Sequence, residues 1–129
     1  MQKTVLLVED FDDARAMLRL MVEQHGHAVI EAAGAYEAIE KAELHTPDLI
    51  LVDIGLPLLD GLSLTKVIHD IDGLEHVPVV AVTAFRDVED QAKKAGCAGV
   101  LYKPILDNEL TDLLNEHLSQ RTGFIQTAF

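Results

Sequence analysis

The sequence predicts an α/β domain: a five-stranded parallel sheet with helices on both faces. Two unbroken apolar runs point to it, Leu49-Ile50-Leu51-Val52 before Asp53 and Val79-Val80-Ala81-Val82 before Thr83. Short apolar runs bounded by turn residues fit strands buried on both faces, which is the condition of a parallel sheet. A second observation is the alternation of strand-like segments with helical patterns along the whole chain. Connections of that length favour right-handed crossovers and helices on both sides of the sheet.

The elements follow in order. Thr4–Val8 reads as the first strand, and Glu9-Asp10 follow it directly. Asp12 or Asp13 is the expected N-cap of a first helix. Ala14, Met17, Leu18, Met21 and Val22 recur there at helical spacing through about Gln24, with Gly26 as the stop. Ala28–Ala32 is a second strand, weakened by Glu31, and Ala35–Glu43 a second helix that ends at the Thr46-Pro47 turn. After the Leu49–Asp53 strand, Pro57 and Gly61 mark a loop, and Leu62–Ile71 gives a third helix with Leu64, Val67, Ile68 and Ile71 inward. Val79–Thr83 is the fourth strand. Arg86–Ala95 is a polar helix with little apolar face, expected to be the least anchored. Val100–Lys103 is the last strand, stopped by Pro104, a candidate for a cis-proline turn. Asp107 or Asn108 can cap a final helix holding Leu110, Leu113, Leu114 and Leu118.

The 129 residues suit one domain, expected over residues 1–120, with 121–129 as a C-terminal tail. Phe124, Ile125 and Phe129 in that tail either fray or dock on a partner. No apolar run reaches the length of a membrane span, and the N-terminus reads as neither signal nor transit peptide, so a cytoplasmic location is expected and no membrane partner. The single cysteine, Cys97, rules out a disulfide scaffold within the chain and reads as a small packed hydrophobe. A net charge of −12 opposes direct binding to nucleic acid, and the six histidines lack ligand-like spacing.

Four strands carry a polar group at the carboxyl end: Glu9-Asp10, Asp53, Thr83 and Lys103. In a parallel α/β sheet those ends share one edge of the molecule, so the groups converge. Two carboxylates about 4 Å apart repel by roughly 4 kcal/mol at an effective dielectric of about 20. A hard divalent cation offsets that repulsion, and an all-oxygen set with few protein ligands suits Mg²⁺. Asp10 is expected to hold it directly and Glu9 through water, with Asp53 and the backbone carbonyl of Gly55 as further oxygens. One aspartate, a metal, a hydroxyl and a lysine together fit phosphoryl transfer to a carboxylate. Asp53 then attacks as nucleophile, while Lys103 and Thr83 bind the phosphoryl oxygens. Singly, each residue has a blander role as a helix cap, a strand threonine or a solvated lysine. Their joint placement at successive strand ends makes coincidence a poor explanation.

Over about residues 3–118 the chain resembles the receiver domain of two-component response regulators. The resemblance rests on Leu6-Leu7-Val8-Glu9-Asp10, Pro47 to Asp53, Pro57 with Asp60-Gly61, Val82-Thr83-Ala84 and Lys103-Pro104. It implies a flavodoxin-like, doubly wound sheet in strand order 2-1-3-4-5. It also implies Asp53 as phosphoacceptor, Glu9 and Asp10 as the metal pair, Thr83 as the switch hydroxyl and Lys103 as the phosphate-binding lysine. A histidine kinase or histidine phosphotransfer protein is the implied donor, and a downstream protein docks on the face of helix 4, strand 5 and helix 5. Such a domain is not a conventional enzyme, because it acts only on its own aspartate.

One position departs from the pattern. The family usually has Tyr or Phe three residues before the lysine, where this chain has Val100. Tyr102 shares its strand parity, so phosphorylation is expected to survive while the aromatic readout is put in question. Two other α/β classes fit the residues less well. A phosphatase of the haloacid-dehalogenase type needs a second Asp two residues after the nucleophile, where Gly55 stands. A flavodoxin-like cofactor protein is excluded because Glu9 to Asp13 would repel a phosphate. A receiver-like adaptor acting without phosphorylation is the remaining alternative.

Overall fold

The computed structural model describes residues 2–118, so the tail of residues 121–129 lies outside the described part. The elements are β1 (Thr4–Val8), α1 (Asp12–Glu23), β2 (Ala28–Ala32), α2 (Ala35–His45), β3 (Leu49–Asp53), α3 (Gly61–His69), β4 (Val79–Thr83), α4 (Glu89–Ala95), β5 (Gly99–Tyr102) and α5 (Asp107–Leu118). All strand pairs are parallel, in the order β2-β1-β3-β4-β5. β1, β3 and β4 are the interior strands and are apolar on both faces.

Successive strand residues point to opposite sides, and two cores result. On one side Leu6, Val8, Ile50, Val52 and Val79 pack with Ala35, Ala38 and Ala42 of α2 and with Leu64 and Ile68 of α3. On the other, Val5, Leu7, Leu49, Leu51, Val80 and Val82 pack with Leu18 and Val22 of α1 and Leu110, Leu114 and Leu118 of α5. The alanines of α2 let that helix approach the sheet closely.

β2 forms despite Glu31 because it is an edge strand. The Glu31 carboxylate accepts from Arg15 Nε at 3.0 Å and also pairs with Arg19. A charge held there also blunts the open edge against pairing with another chain.

Several expected boundaries shift, each for a local reason. Neither Asp12 nor Asp13 caps α1; Phe11 holds the cap position, and both aspartates lie in the first turn, where the helix dipole favours them. Met17 is exposed, because the inward face of α1 is narrower than its apolar spacing. α3 starts at Gly61 under an Asp60 cap. Its buried face runs through Gly61, Leu64, Thr65 and Ile68, which leaves Val67 outside. α4 starts at Glu89 rather than Arg86, since Asp87 takes a left-handed φ of 61° that no helix accommodates. α5 includes Asp107 as its first residue. Cys97 is half-buried with its Sγ 3.7 Å from Thr65 Oγ1, and burial pushes its thiol pKa up, as suits a packing role.

Candidate functional site

The parallel register carries the polar strand ends to one edge. Val8 pairs with Val52, Asp53 with Val82, and Thr83 with Tyr102, so the residues after β1 and at the ends of β3, β4 and β5 are neighbours. Carboxylate oxygens of Glu9, Asp10 and Asp53 all lie within 4.8 Å of one another. Glu9 is buried, Asp53 partly buried and Asp10 exposed.

Glu9 is the most tightly held of the three. Its N–H donates to Ala32 O at 3.1 Å, and its Oε2 accepts from the Phe11 N–H at 3.1 Å. Its Oε1 accepts from Lys103 Nζ at 3.0 Å, while Arg15 Nη1 donates to its carbonyl at 2.8 Å. A carboxylate so buried is tolerable only with such partners. Lys103 Nζ is also 3.8 Å from Asp53 Oδ1, so one ammonium bridges two strand ends.

Lys103 is placed by the backbone: its N–H donates to Thr83 O at 2.8 Å, and the Lys103–Pro104 peptide bond is cis. Thr83 ends β4 fully buried, its Oγ1 accepting from the Phe85 N–H at 3.0 Å. Gly55 is exposed, and its N–H donates to Asp53 Oδ1 at 3.3 Å.

Asp53 is positioned from behind by Gly61. A Cβ on Gly61 would stand 2.4 Å from Asp53 O and 2.9 Å from Ile54 Cα, so the start of α3 can approach the β3 end only with glycine there. The Gly61 N–H donates to Ile54 O at 2.9 Å, and Asp60 Oδ1 accepts from the N–H groups of Leu62 and Ser63, both at 2.9 Å. Those bonds, chiefly the one from Ser63, hold the Asp60 carboxyl below its ordinary pKa.

Val100 is partly buried opposite Ala81 on β4. Tyr102 turns to the first turn of α4, where its hydroxyl donates to Glu89 and the Arg86 guanidinium lies 4.6 Å from its ring centroid. That bond raises the Tyr102 pKa and lowers that of Glu89. Sequence reasoning missed three parts of this arrangement: the Arg15 brace, the close approach at Gly61 and the Tyr102–Glu89 contact. Only the Asp60-Gly61 pair carried a local signal, as an N-cap followed by a small residue.

A doubly wound parallel sheet with an acidic pocket and a lysine at its carboxyl edge defines a signal-receiver class of α/β domain. The chain belongs to the response regulator receiver domain family, whose sequence model matches residues 5–115. It is a receiver domain of two-component signalling. It is 38% identical over 120 residues to the polar-differentiation response regulator DivK of Brucella anthropi, covering 92% of this chain and 98% of that protein. A putative response regulator from Chloroflexus aurantiacus superposes with a TM-score of 0.87 at 29% identity, over 93% of this chain and 100% of that one. The receiver domain of the sensor histidine kinase PA1611 from Pseudomonas aeruginosa, solved with magnesium in its active-site cleft, superposes with a TM-score of 0.83 at 31% identity, over 91% of this chain and 98% of that one.

Proposed function

We propose that this domain is a phosphorylation switch in which Asp53 accepts a phosphoryl group from a phosphohistidine donor. The observation that carries this reading is Lys103 Nζ at 3.0 Å from Glu9 and 3.8 Å from Asp53, beside three carboxylates within 4.8 Å of one another. An Asp53 oxygen forms the new O–P bond as the N–P bond of the donor breaks, and the imidazole leaves. Lys103 offers a point charge to the phosphoryl oxygens, and Thr83 a neutral donor. Glu9 and Arg15 hold the lysine's end of the pocket in place, so the ammonium is already positioned when charge arrives.

The donor set fits Mg²⁺. Hard carboxylate oxygens from Glu9, Asp10 and Asp53 meet in a small space, and in this reading the Gly55 carbonyl would add one more oxygen. When bound, the ion offsets the carboxylate repulsion and the charge on the transferring group.

The donor in this reading is a histidine kinase or a histidine phosphotransfer protein. The output is docking of a protein target on the α4–β5–α5 face, in the cytoplasm, with residues 1–120 as the folded unit and 121–129 as a tail. No helix among the described residues is long and apolar enough to cross a membrane. The domain turns over no separate substrate.

Acetyl phosphate and Mg²⁺ test the proposal, with intact mass as the readout. One phosphoryl adduct that disappears in Asp53→Asn and with a chelator is expected. No adduct, together with no response to beryllofluoride, would contradict it and favour an adaptor that works without phosphorylation.

A further inference from the structure

Thr83 and Tyr102 are direct register partners on β4 and β5, pinned at that level by the Lys103 N–H to Thr83 O bond of 2.8 Å. From Thr83 the chain runs through residues 84–88 into α4, and this connection is tied at both ends. Near its start the Phe85 N–H donates to Thr83 Oγ1 at 3.0 Å. Near its end Arg86 covers the Tyr102 ring at 4.6 Å, and the Tyr102 hydroxyl donates to Glu89, the first residue of α4. Asp87, between those contacts, has a φ of 61°.

α4 has little else to hold its first turn. It is a helix of 7 residues whose buried members are Ala92 and Ala95. A hollow of about 260 Å³ separates it from β5, bordered by Glu89, Ala92, Lys93, Cys97, Gly99 and Val100. The small side chain of Val100 leaves that hollow open.

We infer that Arg86, Glu89 and Tyr102 form a clasp that holds the β4–α4 connection in its resting arrangement, and that movement of Thr83 toward a phosphorylated Asp53 opens it. The inference rests on the reading of Asp53 and Thr83 given above. When the Thr83 hydroxyl turns toward a phosphoryl oxygen, the acceptor of the Phe85 N–H moves with it. Residues 84–88 follow, and Arg86 and Glu89 are drawn off the Tyr102 ring. Tyr102 is thus a positioning residue acting through α4. The clasp is solvent-exposed, so it biases the equilibrium modestly and leaves it easily reversed.

Beryllofluoride binding in Mg²⁺ tests this on the unsubstituted domain, Tyr102→Phe, Glu89→Ala and the double variant, with urea stability measured alongside. Loss of one resting-state hydrogen bond tightens beryllofluoride binding by about 2- to 10-fold in each single variant. The double variant binds no tighter than the singles, because one interaction is removed once. Amides of residues 86–92 exchange faster in resting Tyr102→Phe and unchanged when beryllofluoride is bound. Equal or weaker binding by Tyr102→Phe, with normal binding by the unsubstituted domain, overturns the clasp and leaves the Asp53 reading intact. Failure of the unsubstituted domain to bind overturns both.

Discussion

Lys103 Nζ lies 3.0 Å from Glu9 Oε1, a contact between residues 94 positions apart. It ties the end of β5 to the end of β1 across the width of the sheet and sets the ammonium beside Asp53. Glu9 is buried, so its carboxylate relies on that partner. Lys103→Met should therefore destabilise the metal-free domain by roughly 1–3 kcal/mol, the cost of leaving a buried acceptor without its donor. Added Mg²⁺ should recover much of this loss in urea titrations, because a cation among the same carboxylates replaces the missing ammonium. Indifference of the variant to Mg²⁺ would contradict the site as described.

Gly61→Ala should cost about 1–3 kcal/mol, although alanine is the better helix former. The added Cβ meets backbone, Asp53 O at 2.4 Å, which cannot swing aside. The same push displaces Asp53, so phosphorylation by acetyl phosphate should slow beyond what the stability loss explains. Urea titration and initial rates measured on one preparation check both parts.

Asp60 gives a pH-dependent effect. As the N-cap of α3 it should contribute about 1 kcal/mol at neutral pH, which Asp60→Ala removes. Its folded carboxyl pKa is lowered by the Ser63 and Leu62 N–H groups, so the unfolded chain binds the proton first. The contribution is present above the ordinary carboxyl range and is lost as pH falls through the depressed folded value. Stability curves of Asp60→Ala and the unsubstituted domain should thus converge in acid.

Leu58 should respond in the opposite direction. It has a φ of 70°, is 91% exposed and sits inside a tight turn closed by the Leu59 N–H to Pro57 O at 2.7 Å. A left-handed backbone costs a leucine about 1 kcal/mol, and an exposed side chain returns little packing. Leu58→Gly should raise stability by about 0.5–1 kcal/mol, read as a higher urea midpoint at unchanged slope.

The strands were legible because their signal is local. β1, β3 and β4 lie on the apolar runs, since buried strands must be apolar and turn residues bound them, whereas β2, with Glu31 inside it, sits at the edge. Asp53, Glu9, Asp10 and Lys103 came together on the same logic, as polar groups at the ends of such runs. Helix starts were less legible because distant residues decide them. α4 loses its first residues to a left-handed Asp87 and to Tyr102, and α1 is capped at Phe11 beside a carboxylate already committed to Lys103. The brace from Arg15 to the Glu9 carbonyl had no signal at all, because any helix of this charge carries arginines. Gly61 was visible as a turn residue, but its close approach to Asp53 appears only once β3 and α3 are assembled.

Reductive trapping identifies the residue that takes the phosphoryl group, which is expected to be Asp53. The domain is treated with acetyl phosphate and Mg²⁺, reduced with borohydride, digested and mapped by mass spectrometry. An acyl phosphate at Asp53 predicts homoserine at position 53, dependent on Mg²⁺ and absent without acetyl phosphate. Homoserine at Asp10 or another aspartate, or 5-hydroxynorvaline at Glu9, with position 53 unmodified, would overturn Asp53 as the acceptor.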